Sequence, residues 1–284
     1  MLLYIPDGTE GKAAISRTTH LAIAAHQDDI EFMAYAPIAE CFGTPDKWFG
    51  AIVVTDGAGS PRSGLYADYT DEQMKEVRIV EQKKAACVGE YGFLAMLGHP
   101  SKEVKDAGNP KIVEELADLI RRAKPKYLYT HNLADKHETH VVTALKVIAA
   151  LRMLKPEERP EQVYGCEVWR DLDWLCDDEK VYLDCGAHPN LMRCLSAVFD
   201  SQIAGGKRYD LAAEGRRLAN ATFSASHACD TYSALNYAMD LTHLMDDTVE
   251  ISAYVSGFID RFKAQVKKPS AGLFDERGHI NLNI

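Results

Sequence analysis

Long hydrophobic runs are missing from the 284-residue sequence, and so is the pattern of an export signal. No run of about 18 or more apolar residues occurs, so no transmembrane helix is predicted. Residues 1–12 contain no basic stretch followed by an apolar one, so they do not resemble a signal peptide. We therefore expect a cytoplasmic protein without a membrane span.

Paired cysteines and an excess of positive charge are also missing. The seven cysteines are odd in number and form no Cys-x-x-Cys pair, which argues against a disulfide framework and against a cysteine zinc site. Acidic residues outnumber basic ones by 42 to 32, so the net charge is −10 and nucleic acid is not an expected partner. A hydrophobic fraction of 46% with 26% charged residues is typical of a globular chain.

Short apolar segments alternate with longer amphipathic ones along the first half of the chain. Strands are predicted over residues 20–25, 49–55, 91–97 and 127–130, and helices over residues 70–89, 109–123 and 137–151. Strands that alternate with helices predict parallel pairing through right-handed crossovers. The expected fold class is therefore α/β, a Rossmann-like three-layer sandwich with a mostly parallel sheet.

The second half continues with weaker patterns. Further strands are predicted over residues 163–169 and 180–184 and helices over residues 190–199 and 210–218, while residues 232–245 are ambiguous. Residues 1–265 are expected to form a single domain. Residues 266–284 lose periodicity after Lys267-Lys268-Pro269 and are predicted to be an extended C-terminal tail. Packing of this tail on a neighbouring subunit is one reason to expect a homo-oligomer.

Two polar stretches follow predicted strands and carry metal-binding residue types. Residues 25–31 hold one histidine, two adjacent aspartates and a glutamate, and residues 131–140 hold three histidines and one aspartate. Because ligands bind at the carboxyl ends of parallel strands, both stretches are expected at one edge of the sheet. Two imidazoles and one carboxylate would suit zinc with an open coordination position.

Simpler explanations exist for each stretch taken alone. A single aspartate after a strand most often caps the following helix, and a single loop histidine is usually solvated. The segment Trp169–Trp174 places two aromatic rings around charged residues. It would suit a sugar-binding wall, although core packing with solvated charges explains it as well.

The two stretches resemble the PIG-L/LmbE-like zinc-dependent N-acetyl-sugar deacetylase family. The resemblance rests on Ala-His-x-Asp-Asp-x-Glu at residues 25–31 and on Asp-x-His-x-x-His at residues 135–140. It also includes the Arg-x-x-Glu pattern of the helix over residues 70–89 and the glycine-bearing loop at residues 55–59. Together these motifs cover roughly residues 20–202.

The resemblance implies a role for each matching residue. It assigns Zn²⁺, with Fe²⁺ as the alternative metal, to His26, Asp29 and His140. It also assigns the general base that activates water to Asp28, and oxyanion stabilisation or protonation of the leaving amine to His137. Asp135 would orient one of the histidines, and Glu31 would be structural or catalytic beside the site.

Substrate contacts are expected at four further residues: Arg78, His99, Tyr35 and His227. The alternative for Arg78 is a surface salt bridge with Glu81 or Glu76, and the alternative for His99 is a solvated loop position. Tyr35 lies where relatives carry glycines, so it would reshape the pocket or pack in the core. Gln27 replaces the family's proline and adds an amide near the site.

The expected reaction is zinc-dependent hydrolysis of an N-acetyl group on an amino sugar or its glycoside, which releases acetate and a free amine. Two alternatives stay open. One is an amidase acting on a sugar-linked thiol conjugate, and the other is a non-catalytic metal- or sugar-binding protein. A mere binder would need only the ligand aspartate, so the presence of both Asp28 and Asp29 favours an enzyme.

Overall fold

The computed structural model describes residues 1–268. The predicted tail therefore lies outside the described residues from Pro269 onward, and its first two residues, Val266 and Lys267, belong to a helix.

A mixed sheet of eight strands forms the centre of the molecule, in the order β1-β4-β3-β2-β5-β6-β8-β7. The strands β4, β3, β2, β5 and β6 run parallel, whereas β1 and β8 pair antiparallel with their neighbours. Their bounds are β1 Leu2–Tyr4, β2 His20–Ala24, β3 Phe49–Thr55, β4 Phe93–His99, β5 Tyr127–His131, β6 Gln162–Cys166, β7 Val181–Asp184 and β8 Leu235–Asp240.

Helices cover both faces of this sheet. Their bounds are α1 Gly11–Ser16, α2 Asp29–Met33, α3 Tyr35–Cys41, α4 Asp71–Val88, α5 Ser101–Val104, α6 Lys111–Ala123, α7 Glu138–Arg152, α8 Pro189–Ala197, α9 Asp200–Ile203, α10 Tyr209–Phe223 and α11 Ile251–Lys267. The predicted α/β class with a mostly parallel sheet is confirmed. No helix of the described part of the chain combines the length and the apolar character that crossing a membrane requires.

The strand sequences explain the three layers. All residues of β2 and β3 are buried, as expected for strands covered on both faces. Leu21 and Ile23 belong to the hydrophobic cluster that includes α6 and α7, whereas Ala22 and Ala24 belong to the cluster that includes α3 and α8. Successive side chains point to opposite faces, so one short strand supports both layers.

Helix ends follow local rules where the sequence carries strong signals. Thr70 caps α4, accepting from the Gln73 N–H while the Gln73 side chain accepts from the Thr70 N–H. Gly89 ends the same helix. The cap residues therefore agree with the predicted helix over residues 70–89, and Arg78 lies in the interior of α4.

The strand order reverses at β2, and this reversal determines where the site lies. From β2 the chain proceeds to β3 and β4 on one side, then returns to β5 and β6 on the other. A crevice opens outside the carboxyl ends of strands at such a switch point. The polar stretches 25–31 and 131–140 follow β2 and β5, which pair directly with each other.

Several elements differ from the sequence predictions. β1 and the helices α1, α3, α5, α9 and α11 were not predicted, and β6 ends at Cys166 instead of continuing to Trp169. The ambiguous residues 232–245 form β8 followed by a 3₁₀ turn over Thr242–Met245. β1 lies at one edge of the sheet, whereas β8 lies between β6 and β7. The conformation of both strands depends on pairing with partners distant in sequence.

Candidate metal-binding active site

The turn after β2 folds back on itself and brings His26 against Asp29. The backbone N–H of His26 donates to Asp29 Oδ2 at 2.8 Å, and the Nδ1 atom of the same histidine lies 3.1 Å from that oxygen. Asp29 is the first residue of α2 and is 3% exposed. The turn therefore fixes one imidazole and one carboxylate at the end of the strand.

His140 from α7 completes a compact triangle of donor atoms. Its Nε2 atom lies 3.2 Å from His26 Nδ1 and 3.2 Å from Asp29 Oδ2. Ligand atoms bound at about 2.0–2.1 Å to a tetrahedral zinc lie about 3.3 Å apart. The side chains of His26, Asp29 and His140 therefore fit three corners of a tetrahedral metal site with little movement.

Asp135 orients His140. Its Oδ2 atom lies 3.3 Å from His140 Nδ1, and its Oδ1 atom accepts the His137 N–H at 3.1 Å. An imidazole that donates Nδ1–H to a carboxylate presents a basic Nε2 to a metal. The structure thus places Asp135 behind His140, one of the two partners that the sequence analysis considered.

His131 lies beneath the donor triangle. It is the last residue of β5 and has no solvent exposure. Its Nε2 atom accepts the Ala25 N–H at 2.9 Å, and its ring stacks on that of His140 at 3.9 Å. Asp29, His131 and His140 also lie close enough together to hold a metal ion. The Ala25 N–H occupies the Nε2 lone pair of His131, however, so this ring supports the ring of His140.

Asp28 is adjacent to Asp29 in sequence but faces a different partner. Its Oδ2 atom accepts from Arg78 Nη2 at 2.8 Å, and the carboxylate lines the cavity above the donor triangle. Its φ of 86° lies in a region that residues other than glycine rarely adopt. This backbone conformation turns the side chain of Asp28 away from that of Asp29.

Arg78 is a buried residue. Of the alternative considered for it, a surface salt bridge with Glu81 or Glu76, the Glu81 partner is found but the surface location is wrong. Arg78 is 1% exposed and pairs with Glu81 Oε2 at 3.0 Å as well as with Asp28. It also donates to the Gln27 carbonyl, and Ser201 Oγ lies 3.4 Å away. One guanidinium therefore connects the turn after β2 to α4 and α9.

A buried hydrogen-bond chain supports the backbone of Asp28. Its N–H donates to Gln82 Oε1 at 3.1 Å, and Gln82 Nε2 donates to Glu31 Oε1 at 2.7 Å. Tyr91 OH donates to the same Glu31 oxygen at 2.7 Å. Glu31 thus contacts the site through Gln82 and does not reach the cavity.

The loop after β3 approaches this turn closely. Gly57 has a φ of +76°, and a Cβ atom there would lie 2.6 Å from Gln27 Oε1. Gln27 Nε2 donates to the Thr55 carbonyl at 3.1 Å, so this side chain ties two strand ends together. Its amide points to β3, and Gln27 is not among the residues that line the cavity beside the donor triangle.

His137 faces the donor triangle from the start of α7. Its ring stacks on His140 at 4.5 Å and meets His26 edge-on at 5.0 Å. Among the described residues its Nδ1 atom is buried without a hydrogen-bond partner. The ring lines the cavity, where one nitrogen can serve a bound molecule.

The electrostatic environment separates the two aspartates. Burial raises the pKa of Asp28 to about 6 against the opposing effect of Arg78. Burial also acts on Asp29, but the His140 and His131 rings outweigh it and hold the pKa of Asp29 well below 3.8. Burial lowers the pKa of His137 to about 4, and the neighbouring His140 and His26 rings add to this effect.

A cavity of about 670 Å³ opens above these groups. It is large enough for a small ligand of sugar size. Its other walls come from the loop after β3, from the segment after β6 and from α10. Besides the residues already described, they include Phe32, Gly59, Ser60, Lys105, Val168, Trp169, Lys207, Tyr209 and Arg216.

Of the four residues expected to contact substrate, only Arg78 lines this cavity. His99 is 5% exposed, and Glu115 and Glu103 occupy its ring nitrogens at 2.6 and 3.3 Å, so it is neither a cavity residue nor a solvated loop residue. Tyr35 is fully buried in the core, and its hydroxyl donates to the carbonyls of residues 187 and 188. His227 is exposed and lies away from the cavity.

The sequence analysis missed most of the opposite wall. Trp169 was the exception, because its aromatic-rich segment had suggested a sugar-binding surface. Lys207, Tyr209 and Arg216 belong to no local motif, and only the return of the chain from α9 into α10 brings them to the cavity.

The comparison with known families agrees with the motifs. Residues 21–151 match the PIG-L family, described as GlcNAc-PI de-N-acetylase, and this stretch contains the complete donor triangle. The resemblance noted in the sequence is thereby confirmed. No curated protein matches the sequence.

Solved structures share the fold at low sequence identity. The N,N'-diacetylchitobiose deacetylase from Pyrococcus horikoshii has a TM-score of 0.62 and 11% identity over 84% of this chain and 88% of its own. The conserved protein TT1542 from Thermus thermophilus has a TM-score of 0.60 and 18% identity, covering 78% and 94%. The 4-carboxy-2-hydroxymuconate hydratase GalB from Pseudomonas putida has a TM-score of 0.59 and 16% identity, covering 82% and 98%.

Proposed function

From the PIG-L match over residues 21–151, we propose that the protein is a metal-dependent hydrolase that removes the acetyl group from an N-acetylated amino sugar or its glycoside. The observation that carries the proposal is the donor triangle of His26, Asp29 and His140, with edges of 3.1–3.2 Å beside a second carboxylate. Similar structures include both a deacetylase and a hydratase, so the fold alone does not determine the reaction, and the residues of the site support the proposal.

The donor set suits zinc. Two imidazole nitrogens and one carboxylate oxygen leave one coordination position open, as catalytic zinc sites do, and ferrous iron accepts the same set. The chemistry that such an ion supplies is Lewis acidity toward a carbonyl and a lowered pKa of water. Asp135 favours metal binding by holding His140 with its Nε2 atom toward the triangle.

Asp28 is the proposed general base. Its carboxylate lies in the cavity wall and is not needed as a ligand, and Arg78 holds it in one orientation at 2.8 Å. There it takes a proton from the water molecule that attacks the acetyl carbonyl carbon. A fixed carboxylate within reach of the attacking water is the arrangement that general base catalysis requires.

His137 is the proposed donor to the acyl group. Its ring reaches the cavity from the side of α7, close to both other histidines. A ring N–H there would donate to the carbonyl oxygen as it gains charge, or would protonate the nitrogen as the C–N bond breaks. Acetate and a free amine are the products.

The Asp28–Arg78 pair favours hydrolysis over simple binding. A non-catalytic metal or sugar binder needs the ligand Asp29 but gains nothing from a second buried carboxylate that costs desolvation. An amidase acting on a sugar-linked thiol conjugate would use the same residues on a different acyl group. A substrate panel separates these alternatives.

The test combines metal analysis with acetate release. The purified protein is expected to hold about one divalent ion per chain and to release acetate from at least one member of a panel of N-acetyl sugars. His140→Ala should lose both metal and turnover, whereas Asp28→Ala should keep the metal and lose turnover by about 100-fold or more. Asp118→Asn, an exposed change on α6, serves as the control.

Two results would contradict the proposal. Full turnover in Asp28→Ala would contradict the assignment of Asp28 as the general base. Full activity of a metal-free protein would contradict the assignment of the metal site. Binding of sugars without acetate release from any panel member would favour the non-catalytic alternative.

A further inference from the structure

The cavity wall opposite the donor triangle carries two positive side chains without acidic partners. Lys207 and Arg216 both line the cavity, and neither forms an ion pair with a carboxylate within residues 1–268. The chain as a whole has a net charge of −10. An acidic protein that leaves two cations without a salt bridge in the cavity beside the donor triangle points to a negatively charged ligand.

Nearby acidic groups are already engaged. Asp210 accepts from Arg208 at 2.8 and 3.0 Å, and Glu214 pairs with Arg193. The remaining cavity lysine, Lys105, is itself paired with Glu138 at 3.1 Å. The charges of Lys207 and Arg216 are therefore not balanced by the acids of α10.

Glu167 also lines the cavity, but its oxygens are turned to N–H donors. Oε1 accepts from Asn220 at 2.7 Å and from the Tyr237 N–H at 3.1 Å, and Oε2 accepts from the Leu172 N–H at 3.0 Å. The side chain is 1% exposed. Burial raises the pKa of Glu167, and the nearby charge of Arg216 opposes this effect. Glu167 nevertheless forms no salt bridge with either cation.

Lys207 is held in a defined place. Its ammonium lies 5.2 Å from the centre of the Trp169 ring, a cation–π contact, and that ring lies 6.1 Å from the ring of His137. The ring of His137 is in turn 5.0 Å from that of His26. A chain of three neighbouring contacts thus links the ammonium to the donor triangle across one cavity.

Arg216 supports the same wall. Its guanidinium donates to the carbonyl of Val168, the residue before Trp169. It therefore holds the backbone that carries the indole ring and adds positive charge behind it. The aromatic ring and the two cations form one surface, which we call the cationic wall (Trp169, Lys207, Arg216).

We propose that the cationic wall binds an anionic group of the substrate, a phosphate or a carboxylate, on the part of the molecule distant from the acetamide. The inference rests on the proposed function, because the acetamide is placed at the donor triangle. Lys207 makes the direct contact, and Arg216 positions the wall. The substrate class is thus an N-acetylated amino sugar with a negatively charged substituent.

The experiment compares neutral and charged substrates that share one acetamide. N-Acetylglucosamine is the neutral reference, its 1-phosphate and 6-phosphate esters carry phosphate, and N-acetylmuramic acid carries a carboxylate. We expect kcat/KM from acetate release to be at least tenfold higher for one charged substrate, and this preference to shrink as salt is raised. The substrate that gains most identifies phosphate or carboxylate as the recognised group.

Variants of the wall test the residue assignment. Lys207→Gln should lower kcat/KM for the preferred charged substrate about tenfold or more relative to kcat/KM for the neutral reference, mainly through KM. Lys207→Arg should retain the preference. The matched control is Lys83→Gln, because Lys83 also lies over an aromatic ring, 5.4 Å from that of Tyr4, but on a different face of the protein.

A binding measurement separates failure of this inference from failure of the proposed function. Calorimetry with glucosamine, glucosamine 6-phosphate and inorganic phosphate reports recognition without hydrolysis. Tighter binding of the phosphate ester that is lost in Lys207→Gln supports the cationic wall even when no acetate is released. Equal turnover of neutral and charged substrates, or equal losses for both in Lys207→Gln, would overturn the inference while leaving deacetylation intact.

Discussion

Arg78 offers the sharpest test of how the site is held together. Replacing it by Met removes a guanidinium that is 1% exposed and leaves Asp28 and Glu81 without their shared cation. Loss of one partner from a buried ion pair costs about 3–5 kcal/mol. Glu81 keeps two hydrogen bonds from Ser201, so we expect the lower half of that range.

This cost converts into a measurable shift. For a chain of this size each kcal/mol corresponds to about 2–3 °C in Tm, so Arg78→Met should lower Tm by about 6–12 °C. Turnover should fall because the Asp28 carboxylate is no longer held toward the attacking water. Metal content should not change, because Arg78 contacts none of the three donor atoms.

The variants Arg78→Lys and Arg78→Met/Glu81→Gln sharpen this test. Lys retains the charge but lacks the planar fork that serves Asp28 and Glu81 together, so we expect an intermediate loss. The double variant removes one of the two unpaired carboxylates and should regain part of the stability without regaining turnover. Urea unfolding and acetate release are measured on the same preparations.

The control is Arg122→Met, which breaks an exposed pair with Asp118 on α6 and should change stability little. Arg78→Met behaving like this control in both stability and turnover would refute the assignment of Arg78 as the cation that holds Asp28.

Two further predictions concern Asp28 and Glu167. Asp28 has a φ of 86°, so Asp28→Gly should be about 1–2 kcal/mol more stable to urea than Asp28→Ala, both being inactive; equal stabilities would show that the backbone carries no strain. Burial raises the pKa of Glu167 above 4.5 despite its N–H donors, so the folded protein binds this proton more tightly than the unfolded chain. That contribution to stability is complete below about pH 4.5 and is lost as pH rises through the raised pKa. The unfolding free energy of Glu167→Gln relative to that of the wild type should therefore increase as pH rises above about 4.5. A difference independent of pH would contradict the raised pKa.

The parts of the fold that the sequence predicted are those with strong local signals. The central strands β2, β3 and β5 are short apolar runs bounded by polar residues, and α4 carries a capping box and a terminal glycine. The edge strand β1 is only three residues long and pairs with β4, ninety residues away. No local pattern predicts such a strand, because its conformation depends on the edge that it joins.

The candidate site also contains residues that the sequence predicted correctly and residues that it did not. Both polar stretches end on neighbouring parallel strands, and strand order alone brings His26, Asp29 and His140 together. His99 and His227 were assigned to substrate from their positions in the sequence, but a position does not report a partner. Glu115 forms a hydrogen bond with the Nε2 atom of His99, and His227 lies in an exposed segment outside the cavity.

The adjacent aspartates show why residue type alone does not assign chemistry. Asp28 and Asp29 are the same residue in consecutive positions, yet a positive φ at the first and the start of α2 at the second send their side chains to different partners. One meets a guanidinium that holds it in the cavity wall, and the other meets three imidazoles. The environment raises the pKa of the first to about 6 and holds the pKa of the second far below its usual range. A pair of neighbouring groups whose environments push their pKa values apart is suited to two separate roles. Here the proposed roles of base and ligand depend on the direction of one backbone turn.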